Sequence, residues 1–485
     1  MSSQFTTIPR VVVLGGGITG LAAAYRLREL AAAHERPLET VLLESSARVG
    51  GALETVRSGA YVMETGADSI LSEKPSALRL VKRLGLEADI IGTQERFRRT
   101  YVVHNGRLVP IPDGFSLMAP ALLRPMLCSK LFSPFGKFRI LAEPLIPRRW
   151  RRDDESLAAF VRRRLGREVL ERVAQPLAGG IYTADPAMLS VAATMPRFVE
   201  MERRYGSLIR GLKAASRSNR AVRESSGARW SLFISFTNGI AQLTDALAIR
   251  LGNSIRCRAH VTVLERQAPA ERPRRRAWRL RLEDDLSVEA DAIVCTIPGY
   301  AAAPLLRPHS EALAAMLEEV EYASAATVNM AFRETDFASV PSSFGFVVPA
   351  VERRKIIAGS FSSLKYSGRA PSGMVLARVF LGGALQKDIM ALDDSELLAA
   401  ATEEFAALLG VKAVPALTHV RRWPRSMPQY AVGHLKRVAA IEHEAAQLHH
   451  FALAGAFLRG VGIPDCTQAG ESAAEAIFSN LAAGS

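Results

Sequence analysis

The chain has 485 residues, 48% of them hydrophobic, and a formal net charge of +14. That length exceeds one ordinary core and predicts two or three lobes. The four scattered cysteines (Cys128, Cys257, Cys295, Cys466) contain no CxxC pair, which argues against a zinc ribbon and against a disulfide framework. The basic excess suits an anionic membrane surface, nucleic acid or an anionic small molecule. No helix-turn-helix, zinc-finger or RNA-recognition pattern accompanies it, so nucleic acid is not an expected partner.

The first ten residues carry neither the charged nor the apolar region of a signal peptide, and no apolar run reaches the roughly 18 residues of a spanning helix. A cytoplasmic protein is expected, with attachment to the inner membrane face left open. The nine histidines form no HExxH pair, so no metal is expected; His449 and His450, if on a strand, would point their rings to opposite faces.

The chain opens with the apolar run Val11-Val12-Val13-Leu14, then Gly15-Gly16-Gly17-Ile18-Thr19-Gly20, then Leu21-Ala22-Ala23-Ala24-Tyr25-Arg26-Leu27. A buried strand, a glycine turn and a helix in that order form the dinucleotide fingerprint. Gly15 allows the tight turn, Gly17 lets backbone approach a pyrophosphate, and Gly20 lets helix pack on strand. The pyrophosphate would meet free N–H groups at the positive end of the helix. A second strand, Thr40-Val41-Leu42-Leu43, ends at Glu44 and Ser45, where an acid can accept both ribose hydroxyls. Arg48-Val49-Gly50-Gly51 again suits backbone close to phosphate.

Pro75 and Gly85 bracket a predicted helix, and Asn105-Gly106 turns a predicted hairpin over 101–109. The stretch 114–150 is rich in Phe, Leu and Met yet interrupted by five prolines and punctuated by Arg and Lys. It fits a lobe over a substrate cavity or a face resting on a membrane. Residues 154–216 read as helical, with turns at 179–182 and 185–186, and helices are predicted over 240–251 and from about Cys466. Two Arg runs (148–152 and 162–164) precede a third at 272–276, which reads as a solvated loop. Strands are predicted over 259–265, 277–282, 291–297, 327–332, 375–380 and 451–456. Gly460-Val461-Gly462-Ile463 is a second glycine turn ahead of a helix, placed to meet the far end of the cofactor.

Several motifs together resemble the oxygen-dependent protoporphyrinogen oxidase family, which includes the bacterial coproporphyrinogen III oxidases. They are Glu64-Thr65-Gly66-Ala67-Asp68-Ser69, Asp154-Glu155-Ser156-Leu157, Pro176-Leu177-Ala178-Gly179-Gly180-Ile181-Tyr182, Tyr205-Gly206-Ser207-Leu208, Met427-Pro428-Gln429-Tyr430-Ala431-Val432-Gly433-His434 and Gly460-Val461-Gly462-Ile463-Pro464-Asp465-Cys466. The likeness runs from Val11 to Ala474. Two positions depart: Ala67 stands where the family usually has Pro, and Ile70 where Phe is common.

The resemblance implies an α/β (α+β overall) chain with a Rossmann-like FAD-binding domain, a mixed-sheet substrate-binding domain and a helical lobe. The implied domains are 1–90, 225–300 and 420–485 for FAD, 91–224 for the lobe, and 301–419 for the substrate. It implies three two-electron oxidations of a porphyrinogen in heme biosynthesis, each sending a hydride to flavin N5, with O2 as acceptor and H2O2 released. No side chain is then a dedicated acid or base. One non-covalent FAD per chain would be held by Gly15, Gly16, Gly17, Ile18, Thr19, Gly20, Glu44, Ser45, Arg48, Gly50 and Gly51. Arg48 and the turn of Gly66, Ala67, Asp68 and Ser69 would approach the phosphates and the ring, with Trp423 beside the flavin, Val261 at adenine, and Val461, Gly462 and Ile463 at the pyrimidine edge. Trp423 reads equally as a core aromatic, and Val261 also as an ordinary strand residue. A substrate propionate would meet Arg99, with Arg98 adjacent and the register open. Transient contact with a ferrochelatase and with a membrane surface is also allowed. Rival readings are a flavin oxidase of amines or polyenes on the same fold, and a non-enzymatic lipid or prenyl carrier.

Overall fold

The apolar run at Val11–Leu14 is the centre of a five-stranded sheet in the computed structural model, which describes residues 8–150, 153–215, 231–267 and 276–483. The first seven residues, Arg151, Arg152, Ser216, the 224/225 boundary and Arg272-Pro273-Arg274-Arg275 lie outside the described residues. The sheet order is Ile255–Arg256, Glu39–Leu43, Arg10–Leu14, Ala292–Cys295 and Phe451–Leu453. Every pair in it is parallel.

Both faces of this sheet are covered, which is why its strands read as continuous apolar runs. Val11, Val13 and Leu42 enter one core with the helices Ile18–Ala33, Gln242–Leu251 and Ile463–Ala483. Val12, Leu14, Val41 and Leu43 enter a second core. That core is roofed by the ribbon Val261–Arg266, Trp278–Leu282 and Ser287–Ala290 and by the helices Gly299–Leu306, Glu311–Glu318 and His434–Ala446. The two outer helices of the first core cross very closely: a Cβ on Gly470 would overlap the carbonyl oxygen of Thr19.

A seven-stranded sheet forms the second layer, in the order Leu417–Pro428, Tyr322–Arg333, Met374–Gly382, Ala358–Phe361, Gly345–Val347, Thr100–His104 and Arg107–Pro110. Its pairs are antiparallel except Gly345–Val347 with Thr100–His104. One face packs on the helix Asp394–Leu409 through Phe332, Phe361 and Phe405. This sheet crosses the expected boundaries. The 101–109 hairpin, assigned to the helical lobe, is its edge, and the 419/420 boundary falls inside Leu417–Pro428. A long-range parallel ladder decides the first point, and hydropathy does not register such a ladder.

The helical lobe gathers Met118, Met126, Ile140, Phe160 and Phe198 into a core that also takes in Val102, Val347 and Ala358 of the seven-stranded sheet. The expected turn at 179–182 is instead the end of the helix Gln175–Tyr182. Packing of buried Ala178 and Gly179 outweighs the roughly 1 kcal/mol that each glycine costs in a helix. In the second Arg run, Arg162 is exposed but the other two arginines are paired. Arg164 is fully buried against Glu143, which also accepts from Leu208 N at 2.9 Å. Arg163 bonds Glu202 at 2.6 Å and Glu155 at 2.6 Å.

The stretch 114–150 is split: Met118, Leu131, Phe132 and Ile140 are buried, whereas Phe135, Phe138, Leu145 and Trp150 are 76%, 67%, 83% and 80% exposed. No helix of the described residues is long and apolar enough to cross a membrane. Helix starts differ slightly from expectation: Gln242 rather than residue 240, and Ile463 rather than about Cys466. His449 and His450 do not diverge. They lie on a turn before Phe451–Leu453, with His450 at φ +55°, which brings their rings to 3.8 Å.

Candidate active site

Gly15 has φ +100° and donates its N–H to Leu43 O at 2.8 Å, turning the chain from strand into helix. A Cβ on Gly20 would overlap the Gly15 carbonyl oxygen, so only glycine lets the helix sit this close. Above Gly17 the space is open, with no atom within 4 Å of where a Cβ would stand. The Glu44 carboxylate lies beside this opening and accepts from Gly16 N at 2.6 Å and Ser46 N at 2.8 Å. Gly50 N donates to Gly16 O at 2.8 Å, which brings the second glycine pair alongside the first. Arg48 braces that pair, donating to Gly51 O at 2.8 Å and pairing with Glu54 at 3.0 Å.

From there the path runs to the 64–69 turn, whose Ala67 N donates to Ala52 O at 3.2 Å. The carbonyls of this turn hang on side chains of the seven-stranded sheet. Thr65 O accepts from Thr327 Oγ1 at 2.7 Å and from Trp423 Nε1 at 2.8 Å. Glu64 O accepts from Asn329 Nδ2 at 3.2 Å and from Arg378 at 3.2 Å, and Gly66 O from Arg378 at 2.7 Å. The second glycine turn is tied down by its own contacts. Lys74 Nζ holds Asp465 at 2.7 Å, Ser76 Oγ donates to Pro464 O at 2.5 Å, and Val461 packs on the core of the helical lobe. The helices Ile18–Ala33 and Ile463–Ala483 start at the two glycine turns, so each turn lies at a helix N-terminus.

A family model described as flavin containing amine oxidoreductase matches residues 18–478. The chain belongs to this family. It is similar to the coproporphyrinogen III oxidase of Bacillus subtilis (strain 168), 33% identical over 466 residues that cover 96% of each chain. It is also similar to the protoporphyrinogen oxidase of Bos taurus, 31% identical over 96% of this chain and 98% of that one. Among solved structures, an Exiguobacterium sp. 255-15 protein assigned as a protoporphyrinogen oxidase superposes with TM-score 0.84 at 29% identity, covering 99% of this chain and 100% of that one. The cyclohexylamine oxidase of Brevibacterium oxydans IH-35A shares the fold at TM-score 0.71 and 18% identity, covering 98% and 100%.

As a flavin containing amine oxidoreductase the chain is an FAD-dependent oxidoreductase. The residues present fit such a cofactor: open space over Gly17, a carboxylate just past the second strand, and helix N-termini at both glycine turns. The structure brings Gly15, Gly16, Gly17, Ile18, Thr19, Gly20, Glu44, Gly50 and Gly51 together through the Gly16–Glu44 and Gly16–Gly50 bonds, and it sets Gly66 against Trp423 in the turn that also holds Ala67, Asp68 and Ser69. Val461, Gly462 and Ile463 form the turn that opens the helix Ile463–Ala483. Ser45 is exposed beside Glu44, and Val261 starts the ribbon just past Ala259, whose N–H donates to Glu44 O at 2.9 Å. Arg98 and Arg99 are both exposed at the entry to Thr100–His104.

The 64–69 turn carries a buried charge cluster. Asp68 accepts from Lys365 Nζ at 2.9 Å and pairs with Arg378 at 2.9 Å. Burial by itself would raise the Asp68 carboxyl, but these two cations outweigh it and hold the group well below the usual carboxylate range. Burial raises the Glu64 carboxyl against the lowering pull of Thr55 and Arg369, and it raises the Tyr366 phenol, whose OH lies 2.8 Å from Ser69 Oγ. Cys466 is buried, and burial pushes its thiol up to about 11. Among the described residues no group of three or more His, Cys, Asp or Glu is placed to hold a metal.

Sequence reasoning missed Thr327, Asn329, Lys365 and Arg378. A signal existed for three of them. Thr327 and Asn329 are polar residues two apart in an apolar strand, hence on one face, and Arg378 interrupts Val375-Leu376-Ala377. A buried charge in a strand needs a partner.

Proposed function

We propose that this oxidoreductase converts a porphyrinogen, protoporphyrinogen IX or coproporphyrinogen III, into the porphyrin in three two-electron steps, with O2 as acceptor and H2O2 as co-product, in heme biosynthesis. The observation that carries this reading is the extent of the likeness. Relatives bearing either porphyrinogen oxidase name align nearly end to end, so the likeness spans both glycine turns and the sheet that holds the 64–69 turn.

FAD, when bound, supplies the acceptor for the hydride and its electron pair. In this proposal Gly15, Gly16, Gly17, Ile18, Thr19 and Gly20 bind the pyrophosphate, with Gly50, Gly51 and Arg48 closing over it. Glu44 binds the ribose with Ser45 beside it, and Val261 lends backbone groups to adenine. Gly66, Ala67, Asp68, Ser69 and Trp423 wall the ring, and Val461, Gly462 and Ile463 offer backbone to its pyrimidine edge. Arg99 meets a substrate propionate. Asp68, doubly paired with cations, is a poor proton acceptor near neutral pH, which agrees with a mechanism that uses no side-chain base. The buried, protonated Cys466 supports non-covalent attachment.

Oxygen uptake and porphyrin fluorescence, measured side by side on coproporphyrinogen III, protoporphyrinogen IX and cyclohexylamine, test the reading. Porphyrin formation with the flavin-loaded protein is expected; amine turnover without porphyrin formation would overturn it.

We further propose a cytoplasmic enzyme that rests on an anionic membrane through Phe135, Phe138, Leu145 and Trp150, flanked by Lys137 and Arg148. Exposed aromatic and aliphatic groups beside basic ones favour this. Sedimentation with anionic but not neutral vesicles is expected, and equal recovery with both would remove it.

A further inference from the structure

Around the carboxylates of Glu64 and Asp68 the charges do not balance. These two acids face three bases, Lys365, Arg369 and Arg378, while Glu54, which accepts from Thr65 Oγ1 at 2.7 Å, has its own partners in Arg48 and Arg421. Arg369 serves Glu64 at 3.5 Å and is otherwise spent on Phe236 O at 2.9 Å, Ser235 Oγ at 3.0 Å and Thr237 O at 3.1 Å. Arg378 serves Asp68 and also carries the Glu64 and Gly66 carbonyls, so its place is structural. Lys365 is then a second cation on an aspartate that already has one. Its ammonium bonds both Asp68 oxygens, at 3.0 and 2.9 Å, and Ser69 Oγ at 2.9 Å.

Largely buried charges come in balanced sets, because an uncompensated one bears its full desolvation cost. The surplus positive charge here therefore fits an anion that arrives from outside. Lys365 is the most exposed cation of the three: its side chain is 16% exposed, against 4% for Arg378 and 1% for Arg369. Its surroundings are aromatic, with the Tyr366 ring at 5.3 Å and the exposed Phe233 ring at 5.7 Å from Nζ. The segment that carries Arg98 and Arg99 is tied to the same point. Gln94 N donates to Lys365 O at 3.0 Å, and Gln94 Nε2 donates to Ser363 O at 3.0 Å.

We propose that Lys365 is a substrate-binding residue that receives a carboxylate of the porphyrinogen, and that this extra cation favours substrates bearing more carboxylates. The assignment rests on the porphyrinogen reading above. Asp68 keeps the ammonium in place between turnovers, and the aromatic walls accept the apolar face of the macrocycle.

The test compares wild type, Lys365→Met and Lys365→Arg in the full-length, flavin-loaded protein. Steady-state porphyrin formation is followed on coproporphyrinogen III and on its uncharged tetramethyl ester. Lys365→Met is expected to raise KM for the acid about tenfold, the scale of one charged hydrogen bond, with kcat within about threefold. KM for the ester should stay unchanged, and Lys365→Arg should restore most of the affinity for the acid. An unchanged KM for the acid overturns the proposal. So does a fall in kcat at constant KM, or an equal loss on acid and ester. Should Lys365→Met fail to retain flavin, Lys365→Gln, which keeps a hydrogen bond to Asp68 without the charge, is measured in its place by the same criteria. Wild type that makes no porphyrin would sink the functional reading itself. Active wild type with an indifferent variant sinks only the role of Lys365.

Discussion

Replacing Arg378 by Met tests whether the seven-stranded sheet holds the 64–69 turn. Met fills a similar volume and removes three interactions: the donors to Glu64 O and Gly66 O, and the ion pair with Asp68. Asp68 keeps Lys365 and Glu64 O keeps Asn329, so those groups are weakened rather than orphaned. Gly66 O loses the Arg378 donor that holds it at 2.7 Å. A buried acceptor left without a partner costs about 1–3 kcal/mol, and breaking a buried ion pair costs about 3–5 kcal/mol when nothing replaces it. With Lys365 remaining, a net loss of about 4 kcal/mol is reasonable. At roughly 2–4 °C per kcal/mol this lowers the temperature of flavin release by about 10 °C. Thr327→Val is the matched control, because Trp423 still serves Thr65 O; it should cost about 1 kcal/mol or less. Flavin fluorescence during heating at one fixed rate reads both variants. Equal shifts, or a shift under about 2 °C for Arg378→Met, would show that the turn does not depend on this arginine.

Glu44→Gln should weaken FAD binding about tenfold, since a charged acceptor for ribose hydroxyls becomes a neutral one; free-flavin fluorescence on dilution measures it, and unchanged release contradicts the ribose assignment. Gly470→Ala should destabilise by about 1–3 kcal/mol, because its Cβ overlaps Thr19 O and the two helices must part; a wild-type flavin-release temperature would contradict that crossing. Asp68→Asn should lower stability near neutral pH. The depressed Asp68 carboxyl contributes stability that is fully present above the unfolded carboxylate value near pH 4 and is lost as pH falls below it toward the folded value. The gap in melting temperature between wild type and variant should therefore be constant from about pH 5 to 7 and shrink below about pH 4; a gap that widens toward acid contradicts the double pairing.

Local pattern alone was enough for the first strand, the glycine turn and its helix. The reasons are short-range: Gly15 must adopt φ +100°, Gly20 must clear the Gly15 carbonyl, and a strand buried on both faces must be apolar throughout. The hairpin at Asn105-Gly106 was equally legible from its turn residues, but its membership in the seven-stranded sheet was not. That depends on pairing with Gly345–Val347, far along the chain. The same distance hid the site's electrostatics. The charge of Arg378 in an apolar strand called for a partner and Lys365 carried no such signal, but only folding shows that both meet Asp68, about three hundred residues away. Sequence by itself determined where the backbone must turn toward a dinucleotide and which long motifs mark the family. The tertiary structure decided which side chains support the 64–69 turn and where the unbalanced positive charge lies. Glycine strain and strand burial are set by near neighbours, whereas the balance of buried charge exists only once remote strands share one interior.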